Sequence, residues 1–231
     1  MDKMIFTMLN SMKNVQNKQS NNAHEIANVV TPGFKKSYSE QTQSLDVHIP
    51  GTFATRAMPV TNATNVVDMN PGALMVSGRA LDVYVNTSGA IAVQGPEGQE
   101  LYTRRGDLTI SADGQLMTGT GSLVLGDGGP ITVPGGSNIS ITNDGSVNMI
   151  PRGANAEVTV GRIKLVDTKD TEMLIREDGL YQVREGALPA SADITLTTKA
   201  LEGSNVTVVD SMVRMITLSR QYEMSVNMIK N

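Results

Sequence analysis

The stretch ALDVYVNTSGAIAVQGPEGQELYTRRGDLTISADGQLMT, residues 80–118, decides the fold. Short β-prone runs, Leu81-Asp82-Val83-Tyr84-Val85, Ala90-Ile91-Ala92-Val93, Leu108-Thr109-Ile110 and Leu116-Met117, alternate with Glu97-Gly98 and Asp113-Gly114. The glycines of these dipeptides supply the positive φ that tight hairpins require. The texture continues through Leu123-Val124-Leu125, Ile131-Thr132-Val133, Ile139-Ser140-Ile141 and Val147-Asn148-Met149-Ile150. Val158-Thr159-Val160, Gly161 to Val166 and Leu180-Tyr181-Gln182-Val183 follow, with further turns at Asp144-Gly145 and Asp178-Gly179. Regularly spaced short strands with such turns predict a mainly antiparallel β-domain, a meandering sheet or barrel, over residues 76–200.

On its N-terminal side, residues 32–75 are rich in Ser, Thr, Asn and Gln, carry Pro50, Pro59 and Pro71, and show no sustained period. They read as an extended connector, too long for a passive loop, since structureless loops beyond about 15 residues are uncommon in compact domains. Before it, Met1, Ile5, Met8, Met12 and Val15 recur at spacings of four and three, in a register that continues through Gln19, Asn22 and Ile26. Residues 1–31 therefore predict an amphipathic helix with a narrow apolar seam and an uncharged polar face, poorly stable without a partner helix. Thr31-Pro32-Gly33 stops it, because the residue before proline is pushed out of the α region and glycine permits the turn.

Beyond the β-domain, residues 201–231 return to helical spacing, with Val208, Met212, Met215, Ser219, Tyr222, Val226 and Ile229 in one register. Ser204 or Asn205 is the expected cap, and Asp210 suits an early turn. Matching seams at the two ends predict an α+β fold in which the N- and C-terminal helices pair as a coiled coil around a central antiparallel β-domain.

The chain of 231 residues has 19 Lys and Arg against 23 Asp and Glu, so no positive field exists to attract a phosphate backbone, and nucleic acid is not an expected partner. With no Cys, thiolate nucleophiles, disulfides and Cys-ligated metals are excluded. Met reaches 14 while aromatic residues make up 3%, which favours adaptable packing surfaces. No cleavable export signal and no apolar run long enough for a membrane span is visible, so membrane insertion is not expected.

Little chemistry is written in the sequence. His24 and His48 read as surface residues, with no nucleophile elbow beside either. Gly126-Asp127-Gly128-Gly129 lacks the Lys-Ser/Thr of a phosphate loop and reads as a turn before Pro130. Asp82, Glu97, Glu100 and Asp107 cluster in one hairpin region, and the pair Arg104-Arg105 beside Tyr102 reads as a solvated strand face with cross-strand ion pairs. No catalytic residue, metal or cofactor is expected.

Ala27-Asn28-Val29-Val30-Thr31-Pro32-Gly33-Phe34-Lys35 resembles the N-terminal signature of bacterial flagellar rod and hook proteins, and Leu201-Glu202-Gly203-Ser204-Asn205-Val206 resembles their C-terminal one. Gly78-Arg79-Ala80-Leu81-Asp82-Val83, Tyr102-Thr103-Arg104-Arg105-Gly106-Asp107-Leu108 and Leu125 to Ile131 are similar to the β-domain between them, so the likeness spans nearly the whole chain. Moderate length and Arg79, where distal-rod relatives usually have asparagine, place the likeness nearest a proximal-rod subunit, with a distal-rod or hook-type subunit as the alternative. The sequence stops at Asn231, where relatives usually continue.

The resemblance implies a structural subunit of the periplasm-spanning rod of the flagellar basal body. Such a subunit is exported by the flagellar type III apparatus and stacks with copies of itself and other rod proteins around an export channel. The implied assembly interface comprises Ile5, Met8, Met12, Val15 and Ile26 of the first seam, and Asn28, Thr31, Pro32, Gly33 and Phe34 of the first motif. Ser204 and Asn205 of the second motif and Val208, Met212, Met215, Tyr222, Val226 and Ile229 of the last helix complete it. Gln19, Asn22 and Ser219 would fix register as polar seam residues. Two other classes fit the residues alone: a carbohydrate-binding or peptidoglycan-processing module, which needs convergent acids, and an adaptor, which needs terminal helices folded in the monomer.

Overall fold

A computed structural model describes residues 2–38, 41–47, 56–62, 65–151, 156–184 and 186–230, in an α+β chain of two helices and mainly antiparallel sheets. It forms two compact units. Unit 1 is built from the described residues of Met1–Val29, Ser37–Asn65 and Val206–Asn231, and unit 2 from Val30–Lys36 and Val66–Asn205.

Unit 1 holds helix α1, Asp2–Ala27, helix α2, Val208–Lys230, and an antiparallel hairpin of strands Gln41–Val47 and Arg56–Asn62. The hairpin lies in the stretch read as a connector. The helices pack on one another: Asn22 Nδ2 donates to the Ser211 carbonyl at 2.8 Å, and Arg214 Nη1 donates to Glu25 Oε2 at 3.2 Å. On α1 the expected register holds where side chains are described, with Val15 and Asn22 buried and Met12, Gln19 and Ile26 half-buried. On α2 the buried positions are Ser211 and Leu218, one residue ahead of the expected Met212 and Ser219. One residue is about 100° around a helix, so the stripe Val208, Met212, Met215 and Tyr222 is left exposed. Polar matching accounts for the turn, since Ser211 brings its carbonyl to Asn22 and Arg214 reaches Glu25 only in this rotation.

α2 is capped by Thr207, not by Ser204 or Asn205. Its hydroxyl receives the Asp210 N–H at 3.3 Å and donates to Asp210 Oδ2 at 2.5 Å, a reciprocal cap with the acid placed in the first turn. Leu201 and Glu202, which the expected boundary at 201 groups with the C-terminal helix, end the strand Ala200–Glu202.

In unit 2 the main sheet runs in the order Val66–Val67, Leu174–Ile175, Tyr181–Gln182, Glu100–Thr103, Gly89–Gln94 and Leu165–Asp167, each pair antiparallel. Its two faces feed two apolar clusters. Ile91, Val93 and Leu101 face one, with Val83, Val85, Leu108 and Leu116, while Ala90, Ala92 and Tyr102 face the other, with Val67, Met173 and Tyr181. Burial on both faces explains why Ala90 to Val93 reads as a continuous apolar run. The expected turns are present, with Gly98, Gly114, Gly145 and Gly179 at φ between 78° and 87°. Gly126-Asp127-Gly128-Gly129 is the turn of the small hairpin Leu125–Gly126 and Gly129–Pro130. Two further pairs close the unit: Val83–Val85 with Leu196–Thr198, and Leu74–Val76 with Ala200–Glu202.

Candidate functional site

The residues of the two terminal motifs meet in unit 2 around a buried charge cluster. Lys35, Arg104 and Glu202 all have side chains at 0% exposure. Lys35 Nζ donates to Glu202 Oε1 at 2.6 Å and to the Asn70 carbonyl at 2.5 Å. Arg104 donates from Nε to Glu202 Oε2 at 2.7 Å and from Nη2 to Oε1 at 3.1 Å. Its remaining donors go to the carbonyls of Val85, Thr87 and Gly89 at 2.7–2.9 Å, so every guanidinium N–H is used. Gly72 N–H adds a bond to Glu202 Oε1 at 2.7 Å. Two cations thus share one carboxylate, and backbone carbonyls absorb the excess positive charge. Burial pulls the Lys35 ammonium below its usual range against the opposing pull of Glu202, and Arg104 lowers it further.

The cluster clasps the segment 31–36. Gly33 N–H donates to the Glu202 carbonyl at 2.8 Å, and Tyr181 Oη donates to the Gly33 carbonyl at 3.2 Å. Asn205 Oδ1 accepts from Lys36 N–H at 2.8 Å, and its Nδ2 donates to the Asp68 carbonyl at 3.0 Å. Burial raises the Tyr181 phenol well above its usual range, so it remains a donor.

Gly33 sits at φ 68°, where a Cβ would lie 2.5 Å from the Arg104 carbonyl oxygen and 2.7 Å from Arg105 N. A left-handed conformation alone costs a side chain about 1–2 kcal/mol, and here backbone blocks the only space. Gly33→Ala is expected to lower the melting temperature of the purified chain by roughly 5 °C or more, read by circular dichroism. An unchanged melt would show that the segment is not held here.

The surface reading of Arg104 is therefore corrected: its guanidinium is buried because a carboxylate and three carbonyls replace water. Arg105 is half-buried and pairs with Asp107 at 2.6 Å, two residues along the chain, in place of a cross-strand partner. Asp82 and Asp107 of the suspected acid cluster stand opposite each other in a β-bridge, but each has its own base, Asp82 beside Arg79 at 2.9 Å and Asp107 beside Arg105, and Glu100 stands beside Lys164 at 2.8 Å. Glu100 also receives the Tyr102 hydroxyl at 3.0 Å, and burial pushes that phenol up to about 12. Among the described residues no group of three His, Asp or Glu could hold a metal, and no helix is long and apolar enough to cross a membrane. His24 is exposed on α1, and His48 lies outside the described residues.

The expected interface residues fall into three places. Thr31, Pro32, Gly33, Phe34, Ser204 and Asn205 belong to the clasp region of unit 2. Met12, Val15 and Ile26 line the helix pair, and Asn28 turns the chain after α1, its Nδ2 donating to the His24 carbonyl at 3.0 Å. Val208, Met212, Met215 and Tyr222 are exposed on α2, with Val226 half-buried. Ile5, Met8 and Ile229 lie in the helices, but their side chains are outside the described residues. The cluster of Lys35, Arg104 and Glu202 was not singled out from the sequence, although each member stands in a quoted motif.

Comparison with known proteins places these features in context. Residues 84–149 match the family described as "Flagellar hook protein FlgE/F/G D1 domain", and residues 197–231 match "Flagellar basal body rod FlgEFG protein C-terminal". The chain is 37% identical to the flagellar basal-body rod protein FlgF of Salmonella typhimurium, covering 99% of this chain and 93% of the relative. It is 34% identical to FlgF of Escherichia coli over 100% and 94% of the two chains. The flagellar basal-body rod protein FlgG of Buchnera aphidicola subsp. Acyrthosiphon pisum is 30% identical over 88% and 85%.

Proposed function

Because the chain belongs to the family of the flagellar basal-body rod protein FlgF, we propose that it builds the proximal part of the rod, through its two helices, with copies of itself and other axial proteins as neighbours. It is a structural subunit of the flagellar basal-body rod, not an enzyme. The observation that carries the assembly reading is the outward face of α2. Val209, Met212, Val213, Ile216, Met224 and Met228 are all exposed, a wider apolar surface than a lone helix pair has use for.

In this reading α1 and α2 pair as a coiled coil, and the exposed stripe of α2 is covered by neighbouring subunits in an inner tube, with the β-domain of residues 76–200 outside. The clasp fixes where the chain enters and leaves unit 2. Export through the type III apparatus as an unfolded chain is consistent with the absence of cysteine. Packing of the helix pair against neighbours then adds to the stability that its polar-interrupted seams supply only in part.

The test is deletion of the gene with complementation by a tagged copy, followed by electron microscopy of purified basal bodies. Truncated rods in the deletion, and the tag at the proximal end of complemented rods, are expected. Complete rods without the protein, or a tag at the hook-proximal end, would overturn the placement.

A further inference from the structure

Unit 2 carries an exposed apolar surface of its own. Apart from Val30, its exposed large apolar residues among those described lie on two strands only: Leu74, Met75 and Val76 on one, and Val158 on another. Leu74–Val76 is exposed along its whole length, Val76 at 81%, and among the described residues it pairs on one side only, with Ala200–Glu202. Gly203 N–H donates to the Ala73 carbonyl at 2.7 Å and Ser77 N–H to the Lys199 carbonyl at 2.9 Å. By the alternation of an antiparallel ladder, Ala73, Met75 and Ser77 spend their backbone groups inward, and Leu74 and Val76 turn theirs to the open side. Val158–Arg162 is one of the two outer strands of the sheet formed with Gly136–Ile141 and Ser146–Pro151, and Val158 is 50% exposed.

An apolar strand with an open edge is a template for strand addition, and soluble proteins ordinarily blunt such edges. We infer that these two edges pair with each other between successive copies of this chain, Leu74–Val76 of one copy adding antiparallel to Val158–Val160 of the next. The inference rests on the rod-subunit reading, because a head-to-tail array needs two different complementary surfaces on every copy, whereas self-pairing of one edge gives closed dimers. Charge supports the pairing. In the antiparallel alignment the end of the first edge beside exposed Lys199 meets exposed Glu157, which precedes Val158 and accepts from Ser140 Oγ at 2.6 Å, whereas Arg79 at that end is already paired with Asp82. Each copy would place one β-strand ladder between its neighbours.

The absence of cysteine makes the test clean. Val76→Cys and Val158→Cys are made singly in the full chain, co-expressed in cells lacking the parent, and oxidised in purified basal bodies. A disulfide dimer formed between the two variants, and by neither alone, is expected. Glu157→Lys in the Val158→Cys chain should reduce its yield at least fivefold, and Lys199→Glu in the Val76→Cys chain should restore it. Dimers of Val76→Cys alone, a link to a different axial protein, or no link in basal bodies that contain both variants would each overturn the pairing while leaving the rod reading intact. Absence of the parent chain itself from basal bodies would remove the rod reading, and this inference with it.

Discussion

Glu202→Ala is expected to lower the melting temperature of the purified chain by roughly 10 °C or to leave unit 2 unfolded. The substitution strips the carboxylate that pairs with two cations at 0% exposure, Lys35 and Arg104. Removing one partner of a buried ion pair typically costs about 3–5 kcal/mol, and for a chain of this size each kcal/mol moves the midpoint by about 2–4 °C. Against a domain stability of about 5–15 kcal/mol, that is a large part of the whole. Lys35→Met should cost much less, because Arg104 and Glu202 remain as a neutral, doubly bonded pair at 2.7 and 3.1 Å. The ordering of the two variants is therefore as informative as the size of either. Circular dichroism melts measure both, and a Glu202→Ala midpoint within a degree of the parent would mean that the clasp contributes nothing to unit 2.

That this cluster was invisible in the sequence has a physical cause. Lys35 and Glu202 are 167 residues apart and Arg104 and Glu202 are 98 apart, and a single charged residue looks the same whether it faces water or a buried partner. Arg104 even stands beside Arg105, which suggests a solvated face, yet successive strand residues point to opposite sides, and only one of the two is fully buried. The strands were legible for the opposite reason. Turns such as Asp113-Gly114 and Asp144-Gly145 act within a few residues, so local chemistry fixes the hairpins they close. Leu196–Thr198 and Ala200–Glu202 were missed because Lys199, at φ 59°, interrupts a run that lacks any glycine signal. On α2 the spacing gave the helix but not its rotation. The whole surface of α2 is rich in Val, Met and Ile, so apolar periodicity could not say which stripe meets α1, and the polar contacts of Ser211 and Arg214 decided it.

The rotation of α2 separates two kinds of apolar residue, and a pair of substitutions should separate their effects. Met212→Asp and Ile216→Asp are expected to leave the purified monomer folded, since both side chains are exposed and surface changes usually stay within about 0.5 kcal/mol. Both should nevertheless abolish incorporation into the rod. There the same carboxylate would be buried unpaired in every copy, at several kcal/mol each. Leu218→Asp, placed at a buried position of α2, should lose helicity already in the monomer. Circular dichroism of the purified variants and immunoblots of isolated basal bodies read the two effects independently. If Met212→Asp and Ile216→Asp enter the rod in normal amounts, the outward face of α2 is not an assembly contact, and the narrow seam of α1 would have to carry assembly alone. If they lose helicity in the monomer as Leu218→Asp should, the face is already covered within unit 1, and its exposure cannot be the reason that copies associate.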